Sequence, residues 1–203
     1  MNTVTIPTED YVFNLNFDSV LKPMNDGEFF ELCQSNPDLH IEMTSTGDLI
    51  IMPPTGGETG HRNATLTAVF HFWAEADGTG VDFDSSPVFR LPNGAKRSPD
   101  VAWIRRSRWE ALTQEEREKF PPLCPDFVIE LRSRTDDLAT LKAKMEEYVA
   151  NGAQLGWLID PLERKVSVYR PQAPLACLDQ PEELSGEPEL PGLRLLVSRL
   201  WPK

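Results

Sequence analysis

A chain of 203 residues with 40% hydrophobic and 26% charged positions can bury a core without disulfides or a structural metal. Its 32 acidic residues against 20 Lys and Arg leave a formal charge of −12, which excludes general phosphate attraction as a way of holding nucleic acid. No apolar run approaches the roughly 20 residues of a membrane span. The start MNTVTIPTEDYVF lacks the features of a secretory signal, and Cys33, Cys124 and Cys177 are too scattered for a disulfide or zinc framework, so a cytoplasmic chain with no membrane contact is expected.

Residues 1–24 show no firm periodicity and read as an extended arm. Phe29, Phe30, Leu32 and Cys33 fall at helical spacing, so a helix is predicted over 25–35, capped by Asn25 or Asp26 and stopped by Asn36-Pro37. The runs His40–Thr44 and Asp48–Met52, split by Ser45-Thr46-Gly47, predict a hairpin. A long helix over 59–77 shows Leu66, Val69, Phe70 and Trp73 on one face and ends at Gly78. Val81–Ser85, Val88–Leu91 and Pro99–Arg105 predict strands, and Trp109–Phe120 predicts a helix. Phe127–Leu131 is the most strand-like run, and 137–151 predicts an amphipathic helix ended by Asn151-Gly152. Gln154–Asp160 and Lys165–Arg170 predict two further strands. The Pro- and Glu-rich stretch 171–193 reads as a surface loop, and Leu195–Leu200 as an apolar segment folding back. Alternating helices and strands predict one α/β (α+β) domain over 1–203, with an arm at 1–24 and an acidic loop and C-terminal extension at 171–203.

Two strand runs contain carboxylates where apolar residues are expected: Asp100 in Ser98-Pro99-Asp100-Val101-Ala102-Trp103, and Glu130 in Phe127-Val128-Ile129-Glu130-Leu131-Arg132-Ser133. Alternation puts Phe127, Ile129 and Leu131 on one face and Glu130 and Arg132 on the other, roughly 6.6 Å apart. An acid inside such a run is costly unless paired or bound to a metal. The plain alternative is an ion pair of Glu130 with Arg132 or Arg134.

Pro99-Asp100 followed by Glu130-Leu131-Arg132 resembles the PD-(D/E)XK nuclease signature. The surrounding blocks strengthen the likeness: Pro-Thr-Gly-Gly-Glu-Thr-Gly-His (54–61), Phe-Asp-Ser-Ser (83–86), Leu-Pro-Asn-Gly (91–94), Lys-Met-x-x-Tyr (144–148) and Asn-Gly-Ala-Gln-Leu-Gly-Trp-Leu-Ile-Asp-Pro (151–161). Their succession over about residues 25–170 is similar to the restriction-endonuclease-like family abundant in cyanobacteria, sometimes called the Uma family. The resemblance implies a mixed β-sheet flanked by helices. It also implies Mg²⁺ or Mn²⁺ held by Asp100, Glu130 and the Leu131 carbonyl, and Glu58 as an additional helix acid. For Glu58 the alternative is an acid that complements the helix dipole.

The family's usual lysine is Arg132 here. Lysine can lose its proton and activate a water, whereas arginine stays charged, although it can still clamp a phosphate. Lys144, on the following helix, is the candidate substitute; its alternative is a solvated helix lysine. His40 and His71 have no partner at ligand spacing, His61 near Glu58 reads either as a substrate contact or as a helix-capping or surface histidine, Ser133 has no evident His partner, and Tyr148 and Trp157 read as core. Lys96-Arg97, Arg105-Arg106, Arg108, Arg132 and Arg134 read either as a phosphate-facing rim or as partners of the many acids.

The resulting expectation is a metal-dependent endonuclease acting on DNA as a homodimer. Its main rival is a degenerate nuclease fold kept as a binding or scaffold module, motivated by Arg132 and the acidic surface. A hydrolase for small phosphorylated substrates is a third reading.

Overall fold

The structure, a computed structural model, describes residues 3–7, 12–16 and 24–202. Two compact units divide the chain: the described residues up to Pro54 with Gly94–Lys96, and Thr55–Asn93 with Arg97 onward.

In the first unit, β1 (Thr3–Pro7) and β2 (Val12–Asn16) pair antiparallel, within the stretch the sequence predicts as an extended arm. Helix α1 (Asp26–Ser35) opens on a capping box: the Asn25 side chain accepts from the Glu28 N–H at 3.0 Å, and the Glu28 carboxylate accepts from the Asn25 N–H at 2.9 Å. The predicted hairpin forms from β3 (His40–Met43) and β4 (Leu49–Met52). Lys96 is buried beside it, its ammonium 3.0 Å from the Asp26 carboxylate.

The second unit begins with α2 (Gly57–Asp77), which ends where Gly78 takes a left-handed φ of 67°. Short strands β5 (Gly80–Phe83) and β6 (Phe89–Arg90) follow, then β7 (Lys96–Arg97), whose Lys96 belongs to the first unit, and β8 (Val101–Arg105). The single helix predicted over 109–120 is two short ones, α3 (Arg106–Glu110) and α4 (Gln114–Glu118). The break arises because Thr113 caps the second, its hydroxyl accepting from the Glu116 N–H at 3.2 Å. The remaining elements are β9 (Phe127–Leu131), α5 (Leu138–Ala150), β10 (Leu155–Asp160), β11 (Lys165–Tyr169), β12 (Ala176–Asp179), β13 (Leu184–Ser185) and β14 (Arg194–Leu195), closed by a 3₁₀ turn at Val197–Leu200.

Six of these strands form one mixed sheet in the order β12-β11-β10-β9-β8-β5. Only β9 and β10 run parallel within it, joined by the crossover helix α5 that parallel neighbours require. Alternation then divides the sheet. Trp103, Phe127, Ile129, Trp157, Ile159 and Val166 share one face, packed on Leu66, Phe70 and Ala74 of α2. Gly80 permits this packing at the sheet edge, since a Cβ there would lie 2.1 Å from the Trp103 ring. The opposite face carries the even-numbered residues of β8, β9 and β10, and α5 packs on it.

The stretch 171–193 differs from the predicted loop. Strand β12 pairs with β11, β13 pairs with β14, and Leu184, Leu190 and Leu193 are buried in the core. Acids and prolines dominate its composition, yet a few leucines suffice to dock it. Leu195, Val197 and Leu200 fold back as predicted. The three cysteines are free thiols, and burial pushes Cys124 up to about 12. Among the described residues no helix is long and apolar enough to cross a membrane.

Candidate active site

The antiparallel register pairs Val101 with Ile129 and Ala102 with Val128. Carried one residue further, it sets Asp100 opposite Glu130, on the sheet face toward α5. Asp100 is held from across the ladder: its Oδ2 accepts the Leu131 N–H at 2.7 Å. Glu130 is only 4% exposed, a cost that partners must offset. Its Oε1 lies 2.8 Å from the Lys144 ammonium and accepts the Tyr148 hydroxyl at 3.0 Å. Lys144 and Tyr148 are four residues apart on α5, so one helix face delivers both. Tyr148 is core, as expected, and also a hydrogen-bond donor to the central acid.

Two features fix α5 in place. Asp137 caps it, accepting the Thr140 N–H at 2.8 Å, and the Thr140 hydroxyl and N–H hold its carboxyl below the ordinary range. On β10, Gly156 leaves room for the helix, since a Cβ there would lie 2.5 Å from Met145 Cε.

Arg132 lies on the same face as Glu130 but turns to β10, its Nη1 2.7 Å from Asp160 Oδ2. Asp160 Oδ1 accepts the N–H groups of Leu162 and Glu163 at 3.0 and 3.2 Å, which fixes the carboxylate. The arginine Nε is buried and has no hydrogen-bond partner among the described residues. The ion pair of Glu130 with Arg132 or Arg134 is therefore replaced by two others, Glu130–Lys144 and Arg132–Asp160. Sequence reasoning passed over Asp160. Its signal was the one that revealed Glu130, an acid closing the apolar run Leu155-Gly156-Trp157-Leu158-Ile159.

Glu58 stands apart. It sits in the first turn of α2 with its side chain 84% exposed, and its partner is Arg62 at 3.1 Å, one helical turn on. The Ser133 hydroxyl bonds to Thr135. Much of the basic rim is engaged with acids or carbonyls: Arg97 with Glu147 at 2.6 Å, Arg108 with Asp126 at 2.9 Å, and Arg106 with the carbonyls of Gly78 and Gly80. Arg134, in the loop between β9 and α5, and Lys142, in the second turn of α5, are exposed and make no ion pair among the described residues.

The arrangement is two acids on adjacent central strands with an amine at one of them and an arginine beside it. A family model, Uma2, described as "Putative restriction endonuclease", matches residues 26–198. The chain belongs to the Uma2 family. A solved structure titled as a "putative nuclease belonging to DUF820", from Anabaena variabilis ATCC 29413, has a similar fold. The TM-score is 0.72 over 88% of this chain and 98% of that one, at 23% identity. No curated protein matches. The Uma2 fold, a mixed sheet flanked by helices, is thus the one the sequence predicts.

Proposed function

We propose that this Uma2 protein is a metal-dependent endonuclease that hydrolyses phosphodiester bonds of DNA, with Mg²⁺ or Mn²⁺ held by Asp100, Glu130 and the Leu131 carbonyl. The observation that supports it most is the Lys144 ammonium 2.8 Å from Glu130, with Asp100 accepting the N–H of the next residue, Leu131, across the ladder at 2.7 Å. The donors fit a hard cation, since all are oxygens, and Glu130 already accommodates one positive charge. Such an ion, when bound, lowers the pKa of a coordinated water and neutralises charge on the phosphoryl oxygens.

The chain's own groups supply the positioning. The Leu131 N–H orients Asp100, and Tyr148 orients Glu130. Lys144 takes the place of the family's lysine, close enough to Glu130 to orient a water or meet a phosphate oxygen. Arg132 remains charged. Held by Asp160, it keeps a fixed positive charge on this face, while Arg134 and Lys142 contact the flanking phosphates. Glu58 joins only if substrate draws it from Arg62. Cutting both strands of a duplex needs two such sites, so the working form is a homodimer; a monomer by light scattering at assay concentration would refute that part.

The test is calorimetric titration of Mg²⁺ and Mn²⁺ beside a plasmid-cleavage assay, for wild type, Asp100→Ala and Glu130→Ala. Binding and cleavage are expected in the wild type and in neither variant, with circular dichroism unchanged. Cleavage that survives in purified, folded variants removes these acids from the mechanism. No metal uptake by the wild type would favour the scaffold reading.

A further inference from the structure

A second group of donors lies on the other face of the sheet. His71 and Glu75 are one turn apart on α2, and Asp82 is on the edge strand β5. Asp82 pairs with Trp103 and so points to the α2 side. Its Oδ2 is 2.9 Å from His71 Nδ1, and one ligand atom from each of the three residues lies within 4.8 Å of the others. Asp82 faces α2 with Trp103, whereas Asp100 and Glu130 face α5, so the sheet separates this group from those acids.

We infer that His71, Glu75 and Asp82 form a binding site for a borderline divalent transition ion of the zinc, nickel or cobalt class. Three donors converge from two independently held elements, which a solvated acidic face does not require. The imidazole distinguishes the set from a Mg²⁺ or Ca²⁺ site, because nitrogen with carboxylate oxygen suits the later first-row ions. Neither Glu75 nor Asp82 forms an ion pair with Lys or Arg among the described residues, and nearby Arg106 spends its guanidinium on the Gly78 and Gly80 carbonyls. Metal bonds of about 2.0–2.1 Å place tetrahedral ligand atoms roughly 3.3 Å apart. His71 and Asp82 need only part slightly, and the exposed Glu75 needs only a rotamer change. The bound ion would tie the sheet edge to α2.

The experiment titrates zinc and cobalt(II) chloride into the Asp100→Ala/Glu130→Ala double variant, so that its outcome is independent of the proposed nuclease site. One equivalent is expected to bind, with a cobalt absorption spectrum showing nitrogen ligation. His71→Asn should abolish uptake, and Glu75→Gln and Asp82→Asn should each weaken it by roughly tenfold or more, since loss of a direct ligand costs at least as much as loss of a partner that only orients one. In the otherwise wild-type chain, the His71 ring signals in NMR should shift on zinc addition. No uptake by the double variant, a static His71 ring, or an unchanged affinity in any of the three single variants would overturn the site.

Discussion

On the side of the central sheet covered by α2, Phe70 stacks on Phe127 at 5.3 Å and Phe127 meets Trp157 edge-on at 4.9 Å. On the side covered by α5, β9, β10 and the residues at the ends of β8 and β9 present Asp100, Glu130, Arg132 and Asp160. Both sides are largely shielded from water, so the two faces of one sheet meet opposite demands. The first gains stability from area removed from water and from ring packing. The second must offset the desolvation of each charge with a partner, and a buried ion pair adds little net stability over apolar residues of the same shape. Packing alone does not account for charges kept in the middle of a sheet, which is why the α5 face, and not the better-packed one, is the candidate active site.

The largest expected effect falls on the apolar face. Phe127→Ala removes a ring that touches both α2 and β10, and should cost about 3–5 kcal/mol in urea unfolding. Metal uptake at Asp100 and Glu130, measured well below the lowered melting temperature, should persist. Loss of uptake at full folding would show that the two faces are not separable.

Lys144→Met tests the other face. It leaves Glu130 buried without its cation, and breaking a buried pair from one side costs roughly 3 kcal/mol or more. Cleavage should fall to background as well. The double variant Glu130→Leu/Lys144→Met sharpens the contrast: stability should return most of the way, because an apolar pair replaces an ionic one, while divalent-metal binding stays lost. A double variant as unstable as the single would mean that the pair holds the fold together and is not kept for chemistry.

This asymmetry also explains what could be read in the sequence. Phe127–Leu131 and the single acid at its fourth position are local facts, and β9 forms on those bounds with Glu130 on the predicted face. Gly78 and Asn25 end and begin their helices as read, because capping depends on a few neighbouring atoms. The partners of the charges were not local. Lys144 reaches Glu130 only through the placement of α5, and Arg132 meets Asp160 only because β10 lies parallel to β9. Alternation along a strand tells which face a side chain takes but not what waits there. The same limit hid the triad on the other face: His71 and Glu75 stand at helical spacing, but Asp82 joins them only through the pairing of β5 with β8. In 171–193 the failure was one of weighting, since composition outvoted three leucines that reach the core.

The smallest effect is expected at Glu58, and it decides how far the candidate site extends. The family resemblance assigns this acid to the active site; the structure shows it exposed and paired to Arg62 within its own helix. An exposed i, i+4 pair contributes a few tenths of a kcal/mol, so Glu58→Gln should leave unfolding free energy within about 0.5 kcal/mol of wild type. Activity therefore isolates its chemical role from any structural one. If Glu58 waits for substrate, Glu58→Gln should lower kcat for plasmid cleavage while metal affinity measured without DNA stays as it was. If it is only a helix-start acid that complements the dipole, neither quantity moves. A fall in metal affinity without DNA would contradict both, and would mean that α2 brings its carboxylate to Asp100 and Glu130 in the free protein.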